Sequence, residues 1–230
     1  MINEARNYTL AILNKENNGY ITPDEFNLFA HQAQLDVYLE YERELNEAVQ
    51  KMNARMSGSD YANTVGRIEA LMDRFNVPNQ VLTFAGGSFQ LPSDWYKVNY
   101  PKYQGFKIEY VSQGKITELN EFPSTAPTTV YPAYTQSGDL ITVYPLTIQS
   151  NVTLNYLRYP AIPKWTYIVV PGSDAPLFNI AANDYQDFEL PESDMMKIIV
   201  RICQYAGVSI REEQVVAMAK SEELQDKQEQ

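Results

Sequence analysis

The side chains best spaced for chemistry lie between positions 14 and 25. Asn14, Glu16, Asn18 and Glu25 could offer oxygens to a hard cation. Their spacing follows that of a twelve-residue calcium loop, with Asn18 at loop position five, Gly19 at six, Ile21 at eight and Glu25 at twelve. Two positions depart from that pattern. Asn14 stands where an aspartate is expected, and the longer Glu16 occupies position three. The loop also occurs once, whereas such loops usually work in pairs. Glu25 has a second use that needs no metal. Thr22-Pro23-Asp24-Glu25 reads as a capping box, with Thr22 as N-cap, Pro23 at the first helical position and Glu25 reaching back. The capped turn is the reading adopted, and no metal ligand is assigned.

Other reactive residue types stand alone. Cys203 is the one cysteine and reads as a small buried side chain on a helix. His31 is the one histidine and lies on an expected helix, so a zinc set has too few ligands. Gly86-Gly87-Ser88 reads as a turn rather than a phosphate loop. Glu212-Glu213 and Glu222-Glu223 read as solvated helix faces. A glycosidase needs two carboxylates flanking one bond, and nothing local singles out such a pair. No catalytic residue and no cofactor-binding residue is assigned, and the chain is read as non-enzymatic.

Three kinds of segment must position these residues. Residues 3–13 read as a short amphipathic helix, followed by a turn at Asn17-Asn18-Gly19. A long helix is expected from 23 to about 56, because Phe26, Ala30, Ala33, Val37, Tyr41, Leu45, Ala48 and Met52 recur at helical spacing. Ser57-Gly58-Ser59-Asp60 breaks it. A third helix over about 60–74 carries Tyr61, Val65, Ile68, Met72 and Phe75, and the short connection favours antiparallel packing on the long one. From Val77 the period changes to two. Hairpins are expected around Gly86-Gly87, around Gln113-Gly114 (joining Phe106–Val111 to Lys115–Leu119), and around Gly138-Asp139 (joining Thr128–Tyr134 to Leu140–Tyr144). Val152–Tyr159 alternates as a further strand. Residues 171–189 read as an irregular loop, with room for a short strand at its end. A helix opens after Leu190-Pro191-Glu192-Ser193 and stops at Gly207, and another opens at Ser209-Ile210-Arg211-Glu212. The tail after Ser221 is charged and rich in glutamine.

The fold class is therefore α+β: a helical bundle from both chain ends with an inserted antiparallel β-sandwich or small barrel. The expected domains are 1–77 (helical, with the long helix), 78–189 (β-rich) and 190–230 (a helix pair packing on the N-terminal helices, with a flexible tail).

Composition narrows the function. Acidic residues outnumber basic ones 29 to 18, giving a net charge of −11. Duplex DNA recognition neutralises phosphates with Lys and Arg, so direct DNA binding is disfavoured. One cysteine precludes an intramolecular disulfide framework. The apolar runs are far shorter than a membrane span requires, and the first residues show no signal-peptide pattern. The 17 tyrosines combine broad apolar area with a polar tip, which suits strands and protein interfaces.

Several segments in order resemble a known family. Leu91-Pro92-Ser93-Asp94-Trp95 after a strand looks like an element of phage head-to-tail adaptors. Tyr144-Pro145 and Tyr156-Leu157-Arg158-Tyr159-Pro160-Ala161-Ile162-Pro163 look like the strand pair that follows it, and Phe188-Glu189-Leu190-Pro191-Glu192 looks like the entry to the closing helices. The order resembles the tail tubular protein A type of adaptor in short-tailed phages. The segment from Asn14-Lys15 to Phe26-Asn27, with Ala33-Gln34, is similar to ring proteins of crAss-like phages. The resemblance implies a structural protein in the virion neck or tail, made in the host bacterial cytoplasm. It implies a dodecameric ring beneath the portal protein, contacts with other neck and tail proteins, and a central channel through which DNA passes without specific binding. It also implies assembly on the portal template, so the isolated chain is expected to be monomeric or weakly associated. Two other functions are weighed beside it: a calcium-binding, EF-hand-like regulatory module built on the loop at 14–25, and a carbohydrate-binding tail component built on the tyrosine-rich strands.

Overall fold

The computed structural model describes residues 1–15, 21–53, 64–170, 172 and 175–210. The fold class is α+β. Five helices occur among the described residues: α1 (Ile2–Lys15), α2 (Pro23–Asn53), α3 (Thr64–Met72), α4 (Gln113–Glu121) and α5 (Met195–Ile210). The strands are β1 (Asn76–Val81), β2 (Thr83–Ala85), β3 (Ser88–Gln90), β4 (Trp95–Tyr103), β5 (Phe106–Lys107), β6 (Glu109–Tyr110), β7 (Ala133–Ser137), β8 (Leu140–Tyr144), β9 (Val152–Arg158), β10 (Tyr167–Val169) and β11 (Pro176–Phe178).

The chain forms two compact units. One comprises Met1–Gly58 with Pro160–Gln230, and the other comprises Ser59–Tyr159. In the first unit α5 packs along α1 and α2. The helical spacing of α2 is realised as far as Tyr41, with Phe26, Ala30, Ala33, Val37 and Tyr41 all buried. From Glu42 to Gln50 no residue of α2 is buried. A 31-residue helix extends about 46 Å at 1.5 Å per residue. Only part of that length contributes to the unit's own core.

The second unit holds two sheets. A four-stranded sheet has the order β1-β9-β4-β5, and a five-stranded sheet has the order β2-β3-β8-β7-β6. Their side chains share one core: Val152, Leu154 and Tyr156 come from β9, Phe89 from β3, Ile141 and Val143 from β8, and Tyr134 from β7. The core residues of β9 and of β8 recur at every second position, as strands with one face inward require.

Several expectations need correction. The helix α3 belongs to the β-containing unit rather than standing with α2, so the boundary expected at 77 falls earlier. The boundary expected at 189 falls at Tyr159 instead. Residues 160–189 join the helical unit because Ala161, Trp165, Asp187 and Glu189 hydrogen-bond to α1 and α2 or to one another. The hairpin expected around Gln113-Gly114 is replaced by α4. Ser112 caps that helix by accepting from the Lys115 N–H, and Ile116 is its buried residue. The sheet order is not purely antiparallel, since β6 runs parallel to β7 across the α4 connection. Phe106–Val111 divides into β5 and β6 on either side of buried Ile108. The strand expected from Thr128 begins at Ala133. The short strand allowed at the end of 171–189 lies instead near its start, as β11, paired with β10. Gly207 does not stop the last helix. It has no positive φ, and α5 continues through it to Ile210. The rest of the second capping box and the tail lie outside the described residues, as do the break at 57–60 and Tyr61.

Candidate functional site

The calcium-like loop is described at its helical end. The Thr22 N–H and hydroxyl both donate to Glu25 Oε2, at 2.9 and 2.8 Å, and the Glu25 N–H donates to Thr22 Oγ1 at 3.3 Å. This is the reciprocal geometry of a capping box. The Thr22 backbone bond, followed by its hydroxyl, holds the Glu25 carboxyl below the ordinary glutamate range. Glu16, Asn18 and Gly19 lie outside the described residues. Among the described residues no group of three His, Cys, Asp or Glu side chains is placed to hold a metal ion.

The lone reactive residues sit in ordinary surroundings. Cys203 is buried on α5, and burial pushes its thiol up to about 11, opposed by a hydrogen bond with Thr9. His31 is half-buried on α2. Gly86 and Gly87 have φ of 61° and 90°, the paired positive values of a tight hairpin turn between β2 and β3. The paired acids at 212–213 and 222–223 lie outside the described residues.

Within each unit some of the segments singled out in the sequence are hydrogen-bonded to one another. In the β-containing unit Trp95 pairs with Arg158 across β4 and β9. The Tyr156 hydroxyl donates to Asp94 Oδ1 at 2.9 Å, and the Tyr159 N–H donates to the Asp94 carbonyl at 2.8 Å. Burial and then the Asp94 carboxylate push the Tyr156 phenol up to about 12. Asp139, in the turn before β8, accepts from the Leu91 N–H at its carbonyl and from Trp95 Nε1 at its carboxylate.

In the helical unit three distant segments close a small hydrogen-bonded circuit. Gln34 Nε2 donates to the Ala161 carbonyl at 2.8 Å. The Ala161 N–H donates to Glu189 Oε2 at 2.7 Å, and the Glu189 N–H donates to Gln34 Oε1 at 3.1 Å. Gln34 is fully buried, so its amide needs these partners.

No protein-family model matches this sequence, and no curated protein is detectably similar to it.

Other polar anchors had no sequence signal. Asn27 makes a two-way bond with the Trp165 backbone, its Nδ2 donating to the carbonyl at 3.1 Å and its Oδ1 accepting from the N–H at 2.7 Å. Trp165 Nε1 donates to Asn3 Oδ1 at 3.0 Å, and the Arg6 guanidinium lies over the indole at 3.9 Å. Along the α2–α5 seam the Tyr41 hydroxyl donates to Asp194, the Tyr205 hydroxyl donates to Asp36, and Arg201 pairs with Glu40 at 2.6 Å. Each cluster joins elements of one unit by closing polar groups on one another. No described helix is long and apolar enough to cross a membrane.

Proposed function

We propose that this chain is a structural, non-enzymatic protein of a tailed-phage neck, one subunit of a dodecameric ring between the portal protein and the tail. The carrying observation is the Gln34–Ala161–Glu189 circuit. It ties together three segments, from positions 33–34, 156–163 and 188–192, in which the adaptor and ring-protein resemblance resides. Such a circuit is expected if those segments are constrained as parts of one framework rather than as isolated motifs.

Charge distribution favours the same reading. The residues of the helical unit include 21 acidic and 11 basic side chains, against eight and seven in the β-containing unit. An acidic ring wall repels the DNA backbone and lets it pass without adhering. The stretch of α2 from Glu42 to Gln50, where no residue is buried, offers a surface for neighbouring subunits or neck proteins.

The deciding experiment mixes the purified protein with the portal protein of the same phage and images the product by electron microscopy. A twelvefold ring of this protein on the portal is the expected result. Failure to associate with the portal and with every other neck or tail protein of the same phage overturns the proposal.

A further inference from the structure

The eight acidic and seven basic side chains of the β-containing unit are not evenly spread. The strands β1, β9, β4 and β5 contain Lys97, Lys102, Lys107 and Arg158 but no aspartate or glutamate. In a chain with a net charge of −11, that sheet is a basic island. Glu109, two residues past Lys107, already belongs to β6 in the other sheet.

The register separates the two faces of this sheet. Val98, Pro101 and Tyr103 of β4 stand opposite Tyr156, Leu154 and Val152 of β9, which are core residues. Lys97, Tyr100 and Lys102 stand opposite Leu157, Asn155 and Thr153 and take the other face. Lys107 is paired with Lys102, and Val81 of β1 with Thr153. Lys107, Lys102, Thr153 and Val81 therefore form one row across all four strands. Both ends of the row are open, since Lys107 is exposed and Val81 is 68% exposed. Arg158 is engaged elsewhere, with its guanidinium 5.8 Å from the Phe75 ring.

Two lysines directly opposite one another repel. The fold compensates in part. The Tyr100 ring lies 5.5 Å from the Lys102 ammonium and 5.3 Å from that of Lys107. Lys102 Nζ donates to Asn79 Oδ1 at 3.1 Å, and the Asn79 N–H is itself fixed on Asn155 Oδ1 at 2.8 Å. These contacts hold both ammonium groups beside one ring. None of them supplies a carboxylate, and among the described residues no acid pairs with either lysine. The pair is positioned with its charge unneutralised.

We propose that this face docks an acidic polypeptide surface of a different protein, with Lys102 and Lys107 jointly receiving its carboxylates. Charge complementarity selects the occupant. Charges further off than about 8–10 Å are screened at physiological salt, so an acidic patch is drawn to these lysines locally. A single-stranded nucleic acid is also anionic, but it needs open rings on which its bases stack. Tyr100, the ring that the register puts on this face, is half-buried and shared by both lysines. A net charge of −11 keeps copies of this chain apart, so a second copy is the poorer occupant. The proposal does not rest on the neck reading.

The test uses the full chain and fluorescently labelled poly-L-glutamate, with binding read by anisotropy. Binding is expected, and it should weaken as salt is added. Lys102→Gln together with Lys107→Gln is expected to lower the affinity about tenfold, the scale of two lost surface ion pairs. Lys107→Gln alone, at an exposed position, should give part of that loss and keeps the test valid should the double variant not fold. Lys115→Gln removes an exposed lysine already paired with Glu118 on α4 and is expected to change nothing. The proposal is overturned if poly-L-glutamate does not bind, if the lysine variants bind it as the wild type does, or if oligothymidylate binds as tightly through the same lysines. It is also overturned if inorganic phosphate displaces the probe where chloride of equal ionic strength does not, which makes this a small-anion site. Self-association of the wild type that the double variant abolishes, seen by sedimentation, overturns it too, because the occupant is then a second copy. Portal association of the wild type is a separate readout, so failure of either proposal leaves the other standing.

Discussion

The Tyr156 hydroxyl reaches across from β9 to donate a 2.9 Å hydrogen bond to the Asp94 carboxylate, just before β4. Tyr156 is part of the core between the two sheets, whereas Asp94 is exposed. A hydrogen bond to a charged acceptor contributes about 1.5–3 kcal/mol, and the open side of Asp94 places this one near the lower end. Asp94→Ala is expected to lower stability by about 1–2 kcal/mol, and Tyr156→Phe by no more than that. Chemical denaturation should show the midpoint falling with an unchanged slope.

The same pair predicts an alkaline limb. Burial, followed by Asp94, raises the Tyr156 phenol from about 10 to about 12 in the folded protein. A group whose folded value is raised gives stability that is complete below its unfolded value and lost as the pH climbs through the folded one. Stability should therefore decline from about pH 10 to about pH 12 as the unfolded chain gives up this proton. Tyr41, Tyr134, Tyr185 and Tyr205 are also raised and act in the same direction. Phenolate absorbance followed against pH, in the wild type and in Asp94→Asn, reads this out. The variant should ionise one tyrosine earlier.

The seam between α2 and α5 should respond unequally to two similar changes. Tyr41→Phe leaves the Asp194 carboxylate, which is 8% exposed, without its phenol partner. Tyr205→Phe strips the same bond from Asp36, which is half-buried and can turn to water. Stranding a buried polar group costs about 1–3 kcal/mol. The Tyr41 change should fall in that range and the Tyr205 change well below it. Equal shifts in melting temperature would show that Asp194 finds another partner.

The start of α2 is legible in the sequence because its signal is local. Thr22, Pro23 and Glu25 lie within four residues and make the bonds their types imply. The Gly86-Gly87 turn is legible for the same reason. Lys115–Leu119 misleads because Lys-Ile-Thr-Glu-Leu fits a two-residue period as well as a helical one, and a single buried residue, Ile116, does not separate the two. Ser112, three residues before Lys115, is the available cue. Gly207 misleads because a glycine inside a helix costs only about 1 kcal/mol. Buried Ile198, Ile199, Ile202 and Ala206 on the same helix outweigh that. The partner of Asn27 stands 138 residues away at Trp165, and no spacing rule reaches so far.

Calcium should do nothing to the turn before α2 that the capping box does not already do. Glu25 Oε2 is engaged by two Thr22 donors, and the carboxyl is held below its usual range, so the cap persists above the ordinary glutamate value and is lost as the pH falls through the lowered one. Glu25→Ala and Thr22→Ala should each fray the start of α2, seen as faster amide exchange there. Calorimetry with millimolar calcium should record no binding heat. Saturable heat that vanishes in Glu25→Ala would instead assign the loop a cation.

Trp165 is the single side chain whose loss should cost the helical unit most. It is 2% exposed, bonded through its indole nitrogen to Asn3 and through its backbone to Asn27, covered on one face by Arg6, and stacked on Tyr167 and Phe178. Removing a buried aromatic ring costs about 3–5 kcal/mol. Trp165→Ala also takes away the stack that roots β10 and β11, so the loss should be structural at two levels. The unit should melt earlier, and at temperatures where it remains folded the amides of Ile168 and Leu177 should exchange faster. Trp165→Phe keeps a ring for the stack but not the Asn3 bond, and should retain most of the hairpin's protection while giving up part of the stability. If the alanine variant leaves exchange in the hairpin unchanged, the hairpin is held by Tyr185 and the Lys164–Gln186 backbone pairing rather than by the tryptophan.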